Sequence, residues 1–396
     1  MRVPVPASAR RSPLNGKRAI TRRSPPVRSV VLAAACVALG AWSAPAAEAQ
    51  VGSPSVGAGV VLESYQFQSK ESVGMESVTL LSMPFLAGIR LRPGTHLQVS
   101  GAWASGQIER ADGTSADIRG LTDTRIQLET VLGTDRLRVA GILELPTGHS
   151  RYTGDEADAA GTVAADLLPF QITNWGGGGA FGIHTSTAYQ VGGFGLGASA
   201  TYLVGREFEV FSGEDASFRP GNQFAVGVAA DRTVRLAGKA AIHLQMVNYG
   251  SDEFAGSSLY RSGSRYRALG SYAFPGPRYS SAMVYGSITH RTRGAFLQLA
   301  EETSSQNLLS VGAVLRMPLR WGALVPAADF RLLRSADGLG QGYVATVGAG
   351  AEREMAGITL VPSLRARLGR VVPSEDVRSG LWGLELGLTA RLGGAP

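Results

Sequence analysis

The chain has 396 residues, 38 Lys+Arg against 31 Asp+Glu, a net charge of +7 and one cysteine. Eight of the bases and one acid, Glu48, fall in residues 1–49, so the remainder carries 30 of each sign (38 − 8 and 31 − 1). That balance removes the basic field a nucleic-acid-binding reading needs. Cys36 lies in the same leader, so the remainder has no disulfide and no thiolate metal site.

Residues 1–49 read as an export signal. Arg2, Arg10, Arg11, Lys17, Arg18, Arg22, Arg23 and Arg28 precede the apolar run Val30 to Ala41, and Ala47-Glu48-Ala49 forms a small-x-small cleavage site. The run is too short to span a bilayer as a helix, and no later stretch reaches that length. The rest, 50–396, shows no linker or composition break and reads as one domain.

Strands are expected near 56–68, 77–91, 96–108, 121–132, 136–146, 180–191, 194–209, 222–231, 239–249, 264–274, 281–291, 307–318, 323–334, 342–353, 358–369 and 380–392. Side chains alternate across a strand. In the last one, Trp382, Leu384, Leu386, Leu388 and Leu392 share one face, with Glu385, Thr389 and Arg391 opposite. In 121–132, Ile126, Leu128 and Leu132 oppose Asp123, Arg125, Gln127 and Glu129. The parity of 281–291 is ambiguous. Short turns (Arg92–Thr95, Gly133–Asp135, Gly192–Gly193, Pro275–Arg278, Pro318–Trp321) alternate with long links (109–120, 147–179, 210–221, 250–263, 292–306, 370–379). This rhythm predicts an all-β transmembrane antiparallel barrel of about 14–16 strands, with short turns on the periplasmic side and long loops outside.

The longest link, 147–179, is then the third external loop. It carries Asp155, Glu156, Asp158, Asp166, Phe170 and Trp175 and a helix-like stretch from Ala157 to Leu168. A loop of that length is a candidate constriction, and equally an exposed surface loop. If acids line a constriction, cations are favoured. The pore-lining candidates are Asp123, Arg125, Glu129, Arg138, Glu144, Arg331, Arg365, Arg367, Glu385 and Arg391. Further inward arginines are expected at Arg90, Arg136, Arg265, Arg267 and Arg316.

Gly120-Leu121-Thr122-Asp123-Thr124, followed by Leu143-Glu144-Leu145-Pro146-Thr147-Gly148, resembles the outer-membrane transporter families grouped with phenol meta-pathway proteins and the fatty-acid channel. The resemblance is strong over residues 120–148 and elsewhere is one of strand rhythm. It implies a barrel that passes small, often hydrophobic, molecules. The sequence departs from those families in lacking an Asn-Pro-Ala plug motif and in ending Leu392-Gly-Gly-Ala-Pro without a terminal aromatic.

The five histidines are too scattered for a metal set. His184 and Ser186 share a parity, but no Gly-x-Ser-x-Gly elbow accompanies them. The expected function is an outer-membrane channel, with no cofactor and no catalytic residues. A non-transporting barrel (adhesin, receptor or structural) and a membrane-embedded hydrolase are the alternatives. The expected partners are outer-membrane lipid, a small-molecule solute and the barrel-assembly machinery.

Overall fold

The computed structural model describes residues 55–133, 136–211, 216–234, 238–277, 280–298, 301–338, 340–374 and 377–392. The expected export signal and its cleavage site, residues 1–49, lie outside these.

The strands, in chain order, are β1 (Ser55–Phe67), β2 (Met75–Arg92), β3 (Thr95–Arg110), β4 (Ser115–Leu121), β5 (Thr124–Leu132), β6 (Leu137–Leu145), β7 (Ala180–Val191), β8 (Phe194–Gly205), β9 (Phe208–Glu209), β10 (Ser217–Arg219), β11 (Gln223–Thr233) and β12 (Lys239–Tyr249). They continue as β13 (Ser251–Phe254), β14 (Ser257–Arg261), β15 (Arg265–Pro275), β16 (Ser281–Arg291), β17 (Ala295–Phe296), β18 (Glu301–Glu302), β19 (Gln306–Leu319), β20 (Gly322–Ser335), β21 (Gln341–Met355), β22 (Ile358–Ser374) and β23 (Val377–Leu392). Two helices, α1 (Lys70–Val73) and α2 (Gly154–Val163), lie in links.

Sixteen antiparallel strands close into a barrel. β4 and β5 occupy one position, because both pair with β3. β23 closes on β1 from Val56↔Leu392 to Phe67↔Leu381. Closure leaves β4, which pairs with β3 alone, as the one strand of this sheet with a free edge among the described residues; a lipid environment demands that edges within the bilayer be paired.

The expected alternation is what the wall displays. Leu384, Leu386 and Leu388 are exposed on the outside, while Gly383 and Glu385 are buried inside. The exterior also carries aromatic pairs that the strand rhythm alone did not single out. Phe181 and Tyr189, Phe194 and Tyr202, and Tyr266 and Phe274 are all exposed, each pair eight residues apart on one strand. Eight residues of antiparallel strand extend about 27 Å before tilt, close to the ~25 Å apolar band of an outer-membrane barrel. Tyr202, Phe224, Tyr266, Tyr343 and Trp382 fall toward the long-link end, and Tyr189, Phe194, Phe274 and Trp321 toward the short-turn end. Two aromatic girdles flanking an apolar belt are the signature of a wall that spans a bilayer.

Four expectations need correction. The link 109–120 is not a loop: β3 runs to Arg110, a tight turn follows, and β4 returns from Ser115. Asp112 makes that turn, its Oδ1 accepting from the Thr114 backbone N–H at 2.9 Å and the Thr114 hydroxyl at 2.7 Å. The strand expected over 121–132 breaks at Thr122–Asp123. Trp103 pairs with Leu121 but Ser100 with Arg125, so one extra residue enters the ladder there. That bulge flips the inward parity from Ala116 and Ile118 to Arg125, Gln127 and Glu129. The links 210–221, 250–263 and 292–306 are not plain loops either, since they contribute β10, β13, β14, β17 and β18 to a second six-stranded sheet above the rim. Its sixth strand, β9, is the end of the expected strand 194–209, which breaks after Gly205. Finally, 370–379 is largely strand, with β22 reaching Ser374 and β23 starting at Val377. The ambiguous segment 281–291 is β16, its partners placing Met283, Tyr285, Ser287, Thr289 and Arg291 inward.

Candidate solute pathway

The link between β6 and β7, residues 146–179, folds against the barrel's inner face. Its base is a knot made by the two segments that carry the family resemblance. The Asp123 carboxylate accepts from the Gly148 N–H at 3.0 Å, the Gly177 N–H at 2.7 Å and the Gly179 N–H at 3.3 Å, so one side chain clamps both ends of the loop. The Thr147 hydroxyl accepts from the Thr124 N–H and donates to the Thr122 carbonyl. Gly148 is required sterically: a Cβ there would lie 2.3 Å from the Trp175 carbonyl oxygen.

α2 begins at Thr153, whose hydroxyl accepts from the Glu156 N–H while the Glu156 carboxylate accepts from the Thr153 N–H, a reciprocal capping box. Burial pushes the Glu156 carboxyl up, but the Thr153 backbone and hydroxyl and the His149 ring, 3.3 Å away, together hold it below the ordinary value. Tyr152 is driven the other way, to about 12, by burial and by the charges of Asp123 and Glu156. It stays protonated, its hydroxyl directed at the Gly176 carbonyl. Arg110, at the top of β3, donates to Asp155 at 2.9 Å and Asp158 at 2.8 Å and ties the helix to the wall.

Beyond α2 the loop turns apolar and buries. Val163, Leu167, Leu168, Phe170 and Trp175 pack with the inward residues Tyr65 and Phe67 of β1, Val78 and Leu80 of β2, Ile108 of β3, Ile118 of β4, Leu333 of β20, Val344 of β21 and Leu381 of β23. The Tyr65 and Phe170 rings meet edge-on at 5.1 Å. Gly106 makes room for the Trp175 indole, which a Cβ there would approach to 3.1 Å. The Glu63 carboxylate accepts from the Gln171 N–H at 2.9 Å, and Arg331 reaches the Asp166 carbonyl at 3.5 Å. No residue of the strands from β5 round to β16 belongs to this cluster. The loop therefore covers one arc of the inner wall.

Every expected pore-lining residue on a strand faces inward, and most of them are paired. Arg125 and Glu144 are 3.3 Å apart, as are Arg138 and Glu129. Arg367 contacts both Glu63 and Glu385 and donates to the Tyr65 hydroxyl at 2.6 Å, while Arg365 lies 3.6 Å from Glu385. Arg316 and Glu352 are 2.8 Å apart. Arg391 faces inward at the short-turn end of β23. Arg136 stacks on Tyr189, which is on the outside. Asp123 holds loop backbone.

The loop acids do not form a ring. Asp155 and Asp158 serve Arg110, Glu156 caps its own helix, and Asp166 is exposed. Phe170 and Trp175 seat the loop on the wall. Sequence reading missed Glu63 and Tyr65, since one acid and one tyrosine in a Gly- and Val-rich strand carry no motif.

No family model matches the chain, and no curated protein matches it. Among solved structures it is similar to OprB of Pseudomonas putida, with 10% identity over 86% of this chain and 94% of that one at a TM-score of 0.49. It is similar also to OccK10 (OpdN) of Pseudomonas aeruginosa, with 13% identity over 87% and 99% and a TM-score of 0.47. A COG4313 outer membrane channel from Pseudomonas putida F1 shows 13% identity over 88% and 99% at 0.37.

Of the hydrolase alternative, the structure places His184 against Thr201, Nδ1 to Oγ1 2.8 Å, on the inner faces of β7 and β8. No cluster of three or more His, Asp or Glu suited to a metal occurs among the described residues.

Proposed function

We propose that the protein is an outer-membrane channel for passive or facilitated passage of small solutes, exported by residues 1–49 and bathed by outer-membrane lipid. The observation that carries this reading is the one-sided packing of loop 146–179. Its apolar residues seal it to β1–β4 and β20–β23, and none of the strands from β5 to β16 contributes to that packing. That arc carries Arg138, Glu144, His184, Ser199, Thr201, Gln245, Arg267, Ser271, Ser287 and Thr289 inward. A wall of charges, hydroxyls and amides replaces the hydration of polar solutes and suits them better than the hydrophobic molecules that the family resemblance implies. Loop 146–179 then narrows the passage from one side.

Single-channel recording of the purified protein in planar bilayers tests this. Discrete conductance steps are expected, growing larger when residues 156–174 are deleted. Silence from a heat-modifiable, assembled barrel would favour a non-transporting role.

A further inference from the structure

Arg265, Arg267 and Arg291 form a group that the pairings above leave aside. Arg265 and Arg291 face each other directly across the β15–β16 ladder, and Arg267 follows two residues along β15 opposite Thr289, on the same inward face. Like charges directly opposite destabilise a strand pair, and this ladder bears that cost. Elsewhere inside the barrel, Glu63, Glu129, Glu144, Asp231, Glu352 and Glu385 each hold a lysine or arginine. No carboxylate among the described residues makes an ion pair with any of these three. The ladder neighbours are the neutral Gln245, Val247, Thr289 and Gln306. The Nε atoms of Arg267 and Arg291 are buried without a hydrogen-bond partner in the protein. Three of the rim acids above are committed already, Glu253 to Arg219, Glu302 to Arg293, and Asp252 to the Gly221 N–H at 2.7 Å, and Glu301 is exposed on β18.

We propose that Arg265, Arg267 and Arg291 form a recognition site for solutes bearing a carboxylate or phosphate, just inside the external mouth and across the lumen from loop 146–179. Guanidinium forks match both groups in two-point geometry. A one-signed cleft raises the local concentration of counter-ions and speeds their entry. Three of the loop's four acids, Asp155, Asp158 and Glu156, are taken up at its top by Arg110, Thr153 and His149. Asp166 is in no ion pair among the described residues, and the three arginines outweigh it, so the channel prefers anions. That reverses the cation preference an acid-lined constriction would give. The inference rests on the channel reading.

The test is reversal potential in a potassium chloride gradient, together with the reduction of chloride current by inorganic phosphate and by benzoate. The wild type should be anion-selective and blocked by both. Replacing all three (Arg265→Gln, Arg267→Gln, Arg291→Gln) should lower the anion-to-cation permeability ratio by roughly tenfold, the low end of what a one-signed cleft produces, and remove the block. The matching lysine variant should keep the ratio yet lose most of the block, because an ammonium lacks the fork. Conducting variants with unchanged ratio and block would overturn the proposal and leave the channel reading intact. If the glutamine variant fails to assemble, undiminished block in the lysine variant overturns it instead. Absence of steps in the wild type would sink both.

Discussion

The guanidinium of Arg367 lies 3.0 Å from the carboxylate of Glu63, although 304 residues separate them in the chain. Both are buried, at 3% and 1% side-chain exposure. Glu63 also stands directly across the closing ladder from Glu385, which contacts the same guanidinium. One arginine on β22 thus neutralises two carboxylates on the two strands that close the barrel, while Glu63 also holds loop residue Gln171.

Arg367→Ala should therefore cost far more than a surface ion pair. It leaves two facing buried carboxylates, and breaking such a group costs about 3–5 kcal/mol. Adding Glu63→Gln and Glu385→Gln to Arg367→Met should restore most of that loss. Guanidinium unfolding in lipid vesicles reads the difference, and equal midpoints for the single and triple variants would refute it.

Leu386→Arg should impair insertion by about 2–4 kcal/mol, because Leu386 faces the apolar belt. Thr389→Arg, on the inward face beside Gly59, should assemble. Folding yield into vesicles, followed by heat-modifiability on a gel, compares them. Equal yields would contradict the assigned faces.

Asp123→Ala should free both ends of loop 146–179 without preventing closure, since its carboxylate binds loop backbone and no barrel ladder. Hydrogen bonds to a charged group contribute about 1.5–3 kcal/mol each. Limited proteolysis should cut the loop faster in the variant, and channel current should become noisier. Unchanged cleavage would show that the Trp175 packing alone holds the loop.

The cap of α2 should weaken in acid. The Glu156 carboxyl titrates below its ordinary value in the folded loop, so its contribution is present at and above the unfolded value, about 4.5. It is lost as pH falls from there through the folded value. His149 faces the same carboxylate and adds to its hold when protonated. Protection of the α2 amides from hydrogen exchange, taken relative to the intrinsic rate at each pH, should fall below that pH. Glu156→Gln keeps a side chain able to cap and should flatten the dependence.

Much of the wall was legible because period-two alternation needs no partner to be seen: Leu384, Leu386 and Leu388 declare their face alone. The bulge at Thr122–Asp123 was not, because one inserted residue leaves two perfectly alternating halves. The hairpin over 109–120 was misread because its strands rise above the belt, where Glu109, Asp117 and Arg119 are exposed and the apolar signal stops. The loop's acids, Phe170 and Trp175 were visible as a cluster, but whether they face a pore, solvent or the wall depends on Asp123 and Gly106, far away in sequence. Arg291 escaped with the ambiguous parity of its strand. The Glu63–Arg367 pair exists only once the barrel has closed.

The eight-residue spacing of Phe181 and Tyr189, repeated at Phe194 and Tyr202 and at Tyr266 and Phe274, makes the barrel a ruler. A membrane protein and its lipid share the cost of unequal heights, by fractions of a kcal/mol per Å, and this wall is rigid because its strands, β4 apart, are hydrogen-bonded on both sides. The lipid must do the adjusting. In long-tailed bilayers the annulus around the protein would thin, and neighbouring barrels would lower the strain by gathering, so membrane thickness sets where in a mixed membrane this protein resides.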